Sequence, residues 1–122
     1  MRTKFGISSI LACVAMLPVG SSFAQDPAGK VAFAQCSVCH SIDGSNGVGP
    51  SLKGVVGRTA GEFAGFRFSR ALKSSGLVWD EKSLDVYLTD PQKAVPGNVM
   101  PFAGLTDPNL RAALIAYLAA LM

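Results

Sequence analysis

The sequence has few of the residues on which most binding and catalytic classes depend. Only 16% of its 122 residues are charged, three are cysteines and one is a histidine. Three cysteines are too few for a disulfide-dense scaffold. A chain that is 49% hydrophobic does not have a disordered composition, and its length supports a single domain. We therefore expect one small globular unit.

The first 24 residues have the pattern of a secretory signal peptide. Arg2 and Lys4 precede an apolar run, and Ser22 and Ala24 place small residues at −3 and −1 of a cleavage site. A membrane anchor is the alternative, but a run of about 15 residues is shorter than the ~20 that a spanning helix needs. We expect cleavage after Ala24, which leaves residues 25–122 as one domain.

Cys13 lies within the signal and has a second interpretation, as the lipid-bearing cysteine of a lipoprotein signal. The apolar run continues past it through Val19, which does not fit that pattern. If Cys13 were acylated, the domain would hang from a membrane on a short tether. We expect instead that Cys13 leaves with the signal and that the mature protein is soluble in the periplasm.

Cleavage also removes most of the charge imbalance. The whole chain has 11 Lys and Arg against 8 Asp and Glu, a formal charge of +3. Without Arg2 and Lys4 the charge falls to +1. No basic cluster interleaved with aromatics remains to bind nucleic acid. No hydrophobic run after Ala24 is long enough to span a bilayer.

The two remaining cysteines lie in one short motif. Cys36 and Cys39 are separated by two residues, and His40 follows directly. This spacing is the attachment pattern of c-type haem. Two thiols can add to the two vinyl groups, one turn of backbone reaches both, and the adjacent imidazole lies under the iron. The motif predicts one covalent haem with His40 as an iron ligand.

Three other chemistries use a pair of cysteines. A disulfide in an oxidising compartment does not need His40. A thioredoxin-like redox pair follows a strand, whereas the segment from Pro27 to Gln35 has a helical pattern. A zinc site needs four ligands, and His40 is the only histidine in the chain. Covalent haem is the interpretation that uses all three motif residues.

An iron held by His40 needs a second axial ligand, which cannot be another histidine of this chain. Of the methionines after the signal, Met122 is the last residue, where chain ends fray. Met100 lies in a stretch rich in Pro and Gly, which can form a stiff, non-helical loop. The alternative is that Met100 only fills the core. We predict that Met100 is the sixth ligand.

The pattern of apolar and capping residues predicts an all-α fold, with three to five helices and long loops wrapped around one covalently bound haem. Long loops normally argue against a compact domain. Here the haem supplies apolar core that about 98 residues cannot make alone. The predicted helices run from Pro27 to roughly Cys36, near Ser69–Ser75, from the N-cap Asp80 to Asp90-Pro91, and onward from Asp107-Pro108.

These motifs together resemble the class I cytochromes c, particularly the small soluble bacterial ones related to the mitochondrial carrier. The resemblance covers residues 27–122, and its blocks keep the family's order and approximate spacing. The blocks are Gly29 with Phe33, the Cys36–His40 motif, 49–58, 76–79, Leu84 to Leu88 with Tyr87, 96–104 and 114–118.

The resemblance implies further residues that bind the haem. The Pro50 carbonyl would accept a hydrogen bond from the His40 ring and so orient it. Arg58 and Trp79 would hydrogen-bond a haem propionate. The alternatives are that Trp79 is a core aromatic and that Arg58 is a solvated loop charge.

On the other face, the resemblance implies that Tyr87 lies behind the Met100 sulfur and that Phe102 covers the haem edge. Tyr87 could instead be a core aromatic. Two positions depart from the family: Phe68 stands where a tyrosine is frequent, and Leu72 stands where an asparagine is common. Both departures predict a drier crevice, and the missing hydroxyl leaves the sign of the effect on potential open.

Ligation by His40 and Met100 leaves no free position at the iron, so we expect a one-electron carrier and not an enzyme. Its donor would be a quinol-oxidising complex or a dehydrogenase, in respiration or photosynthesis. Its acceptor would be an oxidase, a peroxidase or a photo-oxidised centre. An enzyme with a labile sixth ligand and a subunit of a larger redox complex are the competing classes. The compact domain favours a free monomer.

The predicted docking face at the haem edge carries little charge. Mitochondrial members of the family surround this edge with lysines, whereas here Gln35, Gln92 and Val99 accompany the single Lys93. A near-neutral face steers partners weakly. We predict transient docking to a redox protein with an apolar or mildly polar patch, and contact with membranes only through partner complexes.

Overall fold

The computed structural model describes residues 27–122, and its regular structure is helical. The helices are α1 (Pro27–Phe33), α2 (Arg70–Lys73), α3 (Glu81–Thr89), α4 (Pro91–Ala94) and α5 (Pro108–Ala119). Over the described range, β-pairing is limited to one antiparallel bridge between Thr59 and Val78. The predicted all-α class is confirmed. The predicted signal peptide and Cys13 lie outside the described residues.

The two predicted N-caps are present. The Asp80 carboxylate accepts the Ser83 N–H at 2.7 Å, and the Asp80 N–H donates to the Ser83 hydroxyl at 3.0 Å, which completes a capping box. The Asp107 carboxylate accepts the N–H of Leu110 at 3.1 Å, with Pro108 in the first turn. Each cap satisfies N–H groups that the first turn leaves without partners.

α4 was not expected from the sequence. Asp90 follows the last residue of α3, and its carboxylate accepts the Lys93 N–H at 3.1 Å. Asp90 therefore caps a second, short helix that begins at Pro91. The sequence reasoning treated Asp90-Pro91 only as a stop signal. Proline is also favoured at the first position of a helix, because no intrahelical partner is needed for its missing N–H.

α1 is shorter than predicted and packs across α5. It ends at Phe33, not near Cys36. A Cβ added at Gly29 would overlap the Ala113 carbonyl oxygen, so the missing side chain allows the two backbones to touch. The rings of Phe33 and Tyr117 pack with their centroids 5.3 Å apart. This contact holds the helix that leads directly into the haem motif.

A buried arginine links α5 to the chain after Met100. The Arg111 Nε donates to the Asp85 carboxylate of α3 at 2.6 Å, and the Arg111 side chain is 11% exposed. Its guanidinium also donates to the Leu105 carbonyl at 2.9 Å. The Leu105 N–H donates to the Leu88 carbonyl at 2.8 Å. Sequence reasoning did not single out this arginine.

The buried apolar residues form one cluster on which the helices and the loop 41–69 converge. The cluster comprises Ala32, Phe33, Val55, Ala60, Trp79, Leu84, Tyr87, Leu88, Val95, Leu114, Ile115, Tyr117 and Leu118.

None of the helices within residues 27–122 is both long enough and apolar enough to cross a membrane.

Candidate haem site

A cavity of about 260 Å³ opens between the helices and the loop 41–69. Most of the side chains that line it are apolar, and several of them also belong to the buried cluster. The fold brings all eight predicted site residues to this one cavity, although they are spread over most of the described sequence. They are Cys36, Cys39, His40, Pro50, Arg58, Trp79, Tyr87 and Met100.

Cys36 and Cys39 lie in the turns that follow α1. The N–H groups of Cys39 and His40 donate to the Cys36 carbonyl at 3.1 and 2.9 Å, so the motif is wound tightly. Both cysteines are free thiols and are partly buried. Burial raises the pKa of the Cys36 thiol, and the nearby Cys39 thiol raises it further. The winding places both sulfur-bearing residues at one cavity.

The His40 ring is held by one hydrogen bond, between Nδ1 and the Pro50 carbonyl at 2.7 Å. A carbonyl only accepts, so Nδ1 carries the proton and Nε2 keeps its lone pair for a metal. This is the hydrogen bond that the resemblance implied for Pro50. The structure therefore contains the contact that would orient the predicted iron ligand.

Gly49 lies against the face of the His40 ring, a role that sequence reasoning did not assign. A Cβ at position 49 would lie 2.5 Å from Cε1 and 2.7 Å from Nδ1 of that ring. The Gly49 N–H donates to the Cys39 carbonyl at 2.8 Å, which fixes the close approach. Any larger residue would force the imidazole or the backbone at position 49 to shift.

The loop after His40 is held by polar side chains. The fully buried Ser51 hydroxyl accepts the Gly44 N–H at 3.0 Å. The amide of Asn46 donates to the Ala64 carbonyl at 3.0 Å and accepts the Ser51 N–H at 3.4 Å. These hydrogen bonds hold the loop in one conformation, because it has no helical hydrogen bonds to do so. Ser, Asn and Gly favour such turns, but the residue pattern does not reveal their distant partners.

Arg58 is fixed by the loop and lines the cavity. Its guanidinium donates to the carbonyls of Ser51 at 2.9 Å and Lys53 at 2.5 Å, and it lies 4.2 Å from the centroid of the Phe63 ring. Burial lowers the pKa of Arg58 from its usual value. A guanidinium has five N–H donors, so donors remain for a carboxylate such as a propionate. That role remains a prediction.

Trp79 and Tyr87 form one wall of the cavity. Their ring centroids are 4.8 Å apart at an interplanar angle of 57°, and both side chains are buried. Burial raises the pKa of Tyr87 to about 12, so the phenol stays protonated near neutral pH. Both residues belong to the core and also line the cavity, while their haem roles stay predictions.

Met100 lies far from the Cys36–His40 motif in sequence, in a non-helical segment after α4. Its N–H donates to the Asn98 side chain at 3.0 Å, and its carbonyl accepts the Phe102 N–H at 2.9 Å. Phe102 lines the same cavity. The segment is thus the ordered loop that was predicted, while ligation by the Met100 sulfur stays a prediction.

The two departures from the family also line the cavity. Phe68 packs edge-on against Phe66 with centroids 4.8 Å apart, and Leu72 also lines the cavity. The structure adds polar residues that the sequence analysis did not consider, among them Thr59, Glu62 and Ser69. The crevice is therefore less uniformly apolar than the two substitutions suggested.

The lining fits a covalently attached haem. Two thiols, an oriented imidazole and one thioether line the same cavity. The apolar residues between them suit a large, flat, mostly apolar group. Among residues 27–122, no three or more His, Cys, Asp or Glu side chains form a group that could hold a metal ion.

Comparison with known proteins supports this fit. Residues 27–122 match the family model described as Cytochrome c. The chain is 57% identical over 91 residues to "Cytochrome c2 iso-2" of Magnetospirillum fulvum, which covers 74% of this chain and 95% of that protein. It is 48% identical over 99 residues to "Cytochrome c2" of Rhodomicrobium vannielii, which covers 79% of each.

The chain is also similar to a solved structure of a cytochrome c. The chain superposes on cytochrome cH from Methylobacterium extorquens with a TM-score of 0.73 and 54% sequence identity. The match covers 75% of this chain and 94% of that structure.

Proposed function

This chain belongs to the cytochrome c family, and from that premise we propose that it works in the periplasm as a soluble carrier of single electrons between redox proteins. The family binds haem c covalently, and Cys36, Cys39 and His40 supply its attachment motif. The predicted cofactor and the resemblance to class I cytochromes c are confirmed. The relatives named cytochrome c2 and cytochrome cH indicate a mono-haem electron carrier.

The observation that carries the proposal is that His40 and Met100 line one apolar cavity. We infer that Cys36 and Cys39 form the two thioethers and that His40 Nε2 and the Met100 sulfur hold the iron. The bound haem supplies reversible one-electron chemistry at that iron. If His40 and Met100 both held the iron, no position would be left there for a substrate, which supports a carrier over an enzyme.

The other lining residues would hold the haem and keep water from it. Pro50 orients the His40 ring, as the 2.7 Å hydrogen bond indicates. We propose that Arg58 and Trp79, which line the cavity, donate to the propionates, and that Tyr87 offers a neutral hydroxyl within the same cavity. Because these groups are already ordered by the fold, little of the chain needs to rearrange when an electron arrives or leaves.

We also propose that residues 1–24 are an export signal and that residues 25–122 act as a single monomeric domain. The apolar run, the basic residues before it and the small residues at the cleavage site support this. The family match begins at residue 27, which agrees with the proposed boundary.

Carbon monoxide tests whether the iron is closed. We expect the reduced, haem-loaded protein to bind carbon monoxide slowly and incompletely at neutral pH, because Met100 occupies the sixth position. The visible spectrum, recorded after addition of the gas, measures binding. Rapid and complete binding would contradict the carrier assignment and favour an enzyme with a labile ligand.

Co-purification tests the other competing class. If the protein co-purified with a second chain at fixed stoichiometry, it would be a subunit of a larger complex.

Four uncharged residues are exposed in the cavity lining or next to it in sequence, beside the exposed Glu62, which also lines the cavity. Val38, Val48 and Val99 are 79%, 76% and 75% exposed, and the last two line the cavity itself. Gln35 is also exposed and lines it. We call these four residues the mouth surface. We propose that the partner presents an apolar or mildly polar patch to it.

The charge of the mouth surface can be measured without the partner. The reduced protein can be oxidised by ferricyanide, which is an anion, or by a cobalt phenanthroline cation. We expect both oxidation rates to change little over a tenfold rise in ionic strength. Charges near the site of electron transfer set that slope. The matched variant Val99→Lys should make the ferricyanide rate fall clearly with salt. A steep decline in the unmodified protein would refute the near-neutral surface.

A further inference from the structure

Asn98 is a buried polar side chain in the wall of the haem cavity, two residues before Met100. It is 6% exposed. Its amide nitrogen donates to the carbonyls of Pro91 and Val95, both at 2.8 Å. Its amide oxygen accepts the Met100 N–H at 3.0 Å. Both N–H donors of this amide are therefore used by the chain itself, although the residue lines the cofactor cavity.

These partners determine which way the amide faces. The Pro91 and Val95 carbonyls only accept, and the Met100 N–H only donates, so a rotated amide would lose all three hydrogen bonds. The backbone of Asn98 is held as well. Its N–H donates to the Val95 carbonyl at 3.1 Å, and its carbonyl accepts the Gln92 side chain at 2.8 Å. One residue thus joins α4 to the backbone of Met100.

The neighbouring residues contribute little hydrogen bonding of their own. Pro96 and Pro101 carry no N–H, and Gly97 has a φ of +86°, which makes a turn but adds no side chain. In the part of the chain that the structure describes, the Met100 N–H reaches α4 through the Asn98 side chain. Loss of that side chain would therefore leave the Met100 N–H without its link to α4.

We propose that Asn98 is the positioning residue for Met100: it orders the Met100 backbone so that the sulfur faces the iron in both oxidation states. This inference rests on the proposed ligation by Met100. A loop that is ordered before the sulfur binds loses less conformational entropy on binding, so the iron–sulfur bond competes better with outside ligands. Without Asn98, an external ligand should displace Met100 more easily.

The test compares imidazole binding to the oxidised, haem-loaded protein and its variants. Asn98→Leu keeps a similar side-chain volume and removes all three hydrogen bonds. We expect it to bind imidazole about tenfold more tightly, and to weaken the absorption band that reports methionine bound to ferric iron. Asn98→Ser should be intermediate, because a hydroxyl can still accept the N–H two residues on, though more weakly.

Asn46→Leu is the matched control, since the Asn46 amide also joins two loop segments, on the His40 side. We expect its imidazole affinity to stay at the unmodified level. The proposal is overturned if Asn98→Leu binds imidazole no more tightly than the unmodified protein, or if Asn46→Leu gains as much affinity as Asn98→Leu.

Two further measurements separate the possible failures. If the methionine band is absent from the unmodified protein, Met100 is not the ligand, and it is the proposed ligation that fails. If Asn98→Leu does not fold, hydrogen exchange of the Met100 N–H in the unmodified protein provides the test. We expect that amide to be protected, and exchange at the rate of a free loop would overturn the proposal.

Discussion

Replacing both Cys36 and Cys39 with alanine is expected to yield a chain without stable tertiary structure. The cavity of about 260 Å³ would then have no haem to fill it. At roughly 24 cal/mol per Å³ of cavity, the missing contacts cost about 6 kcal/mol. That loss is comparable with the whole stability of a small domain, about 5–15 kcal/mol. Far-ultraviolet circular dichroism and thermal unfolding of the purified double variant would measure the effect.

Ser37→Ala is the control for this experiment, because Ser37 lies inside the motif but its exposed hydroxyl donates only to the Ala34 carbonyl, at 2.7 Å. It should keep its haem and unfold cooperatively like the unmodified protein. Native helicity and a sharp thermal transition in the haem-free double variant would show that the chain makes its own core, contrary to our interpretation of the cavity.

Met100→Ala is expected to open the sixth position of the iron and to lower the reduction potential. Thioether ligation favours reduced iron, and axial ligands as a group tune haem potentials over about 0.8 V. We expect a fall on the order of 100 mV or more, together with loss of the methionine–iron absorption band and rapid binding of carbon monoxide. Spectroelectrochemical titration of the purified variant measures the potential.

Met122→Ala provides the comparison, since Met122 is the other methionine after the proposed signal and is 93% exposed. It should leave potential and spectrum unchanged. If Met100→Ala kept the original potential and absorption band, another group would have to supply the sixth ligand, and the carrier mechanism would need revision at that position.

The features that were predictable from the sequence depend on residues close together in the chain. Asp80 and Asp107 cap helices by bonding N–H groups two or three residues away, so a capping residue before an apolar stripe was sufficient to place them. The haem motif is local in the same way. The signal for the missed helix α4 is also local. Asp90-Pro91 can end one helix or begin another, and only the first meaning was used in the prediction.

The features that sequence reasoning missed depend on contacts between distant segments. The Gly49 backbone lies against the His40 ring, and this distance exists only once the loop has folded back. The ion pair between Arg111 and Asp85 joins two helices whose relative placement no local pattern determines. Asn98 is intermediate, since a turn was expected there but its bonds to α4 were not.

The packing of α1 against α5 has a consequence for the order of assembly. Synthesis makes α1 and the Cys36 motif well before α5, so α1 does not have this helix to pack on until α5 has been made. The contact between α1 and α5 closes a long loop. Its entropic cost makes the contact slow to form. During that interval the two thiols remain accessible on an open chain, where haem can be attached to them. The contacts of Gly29 and Phe33 with α5, which hold the helix before the motif, can form only once α5 is present.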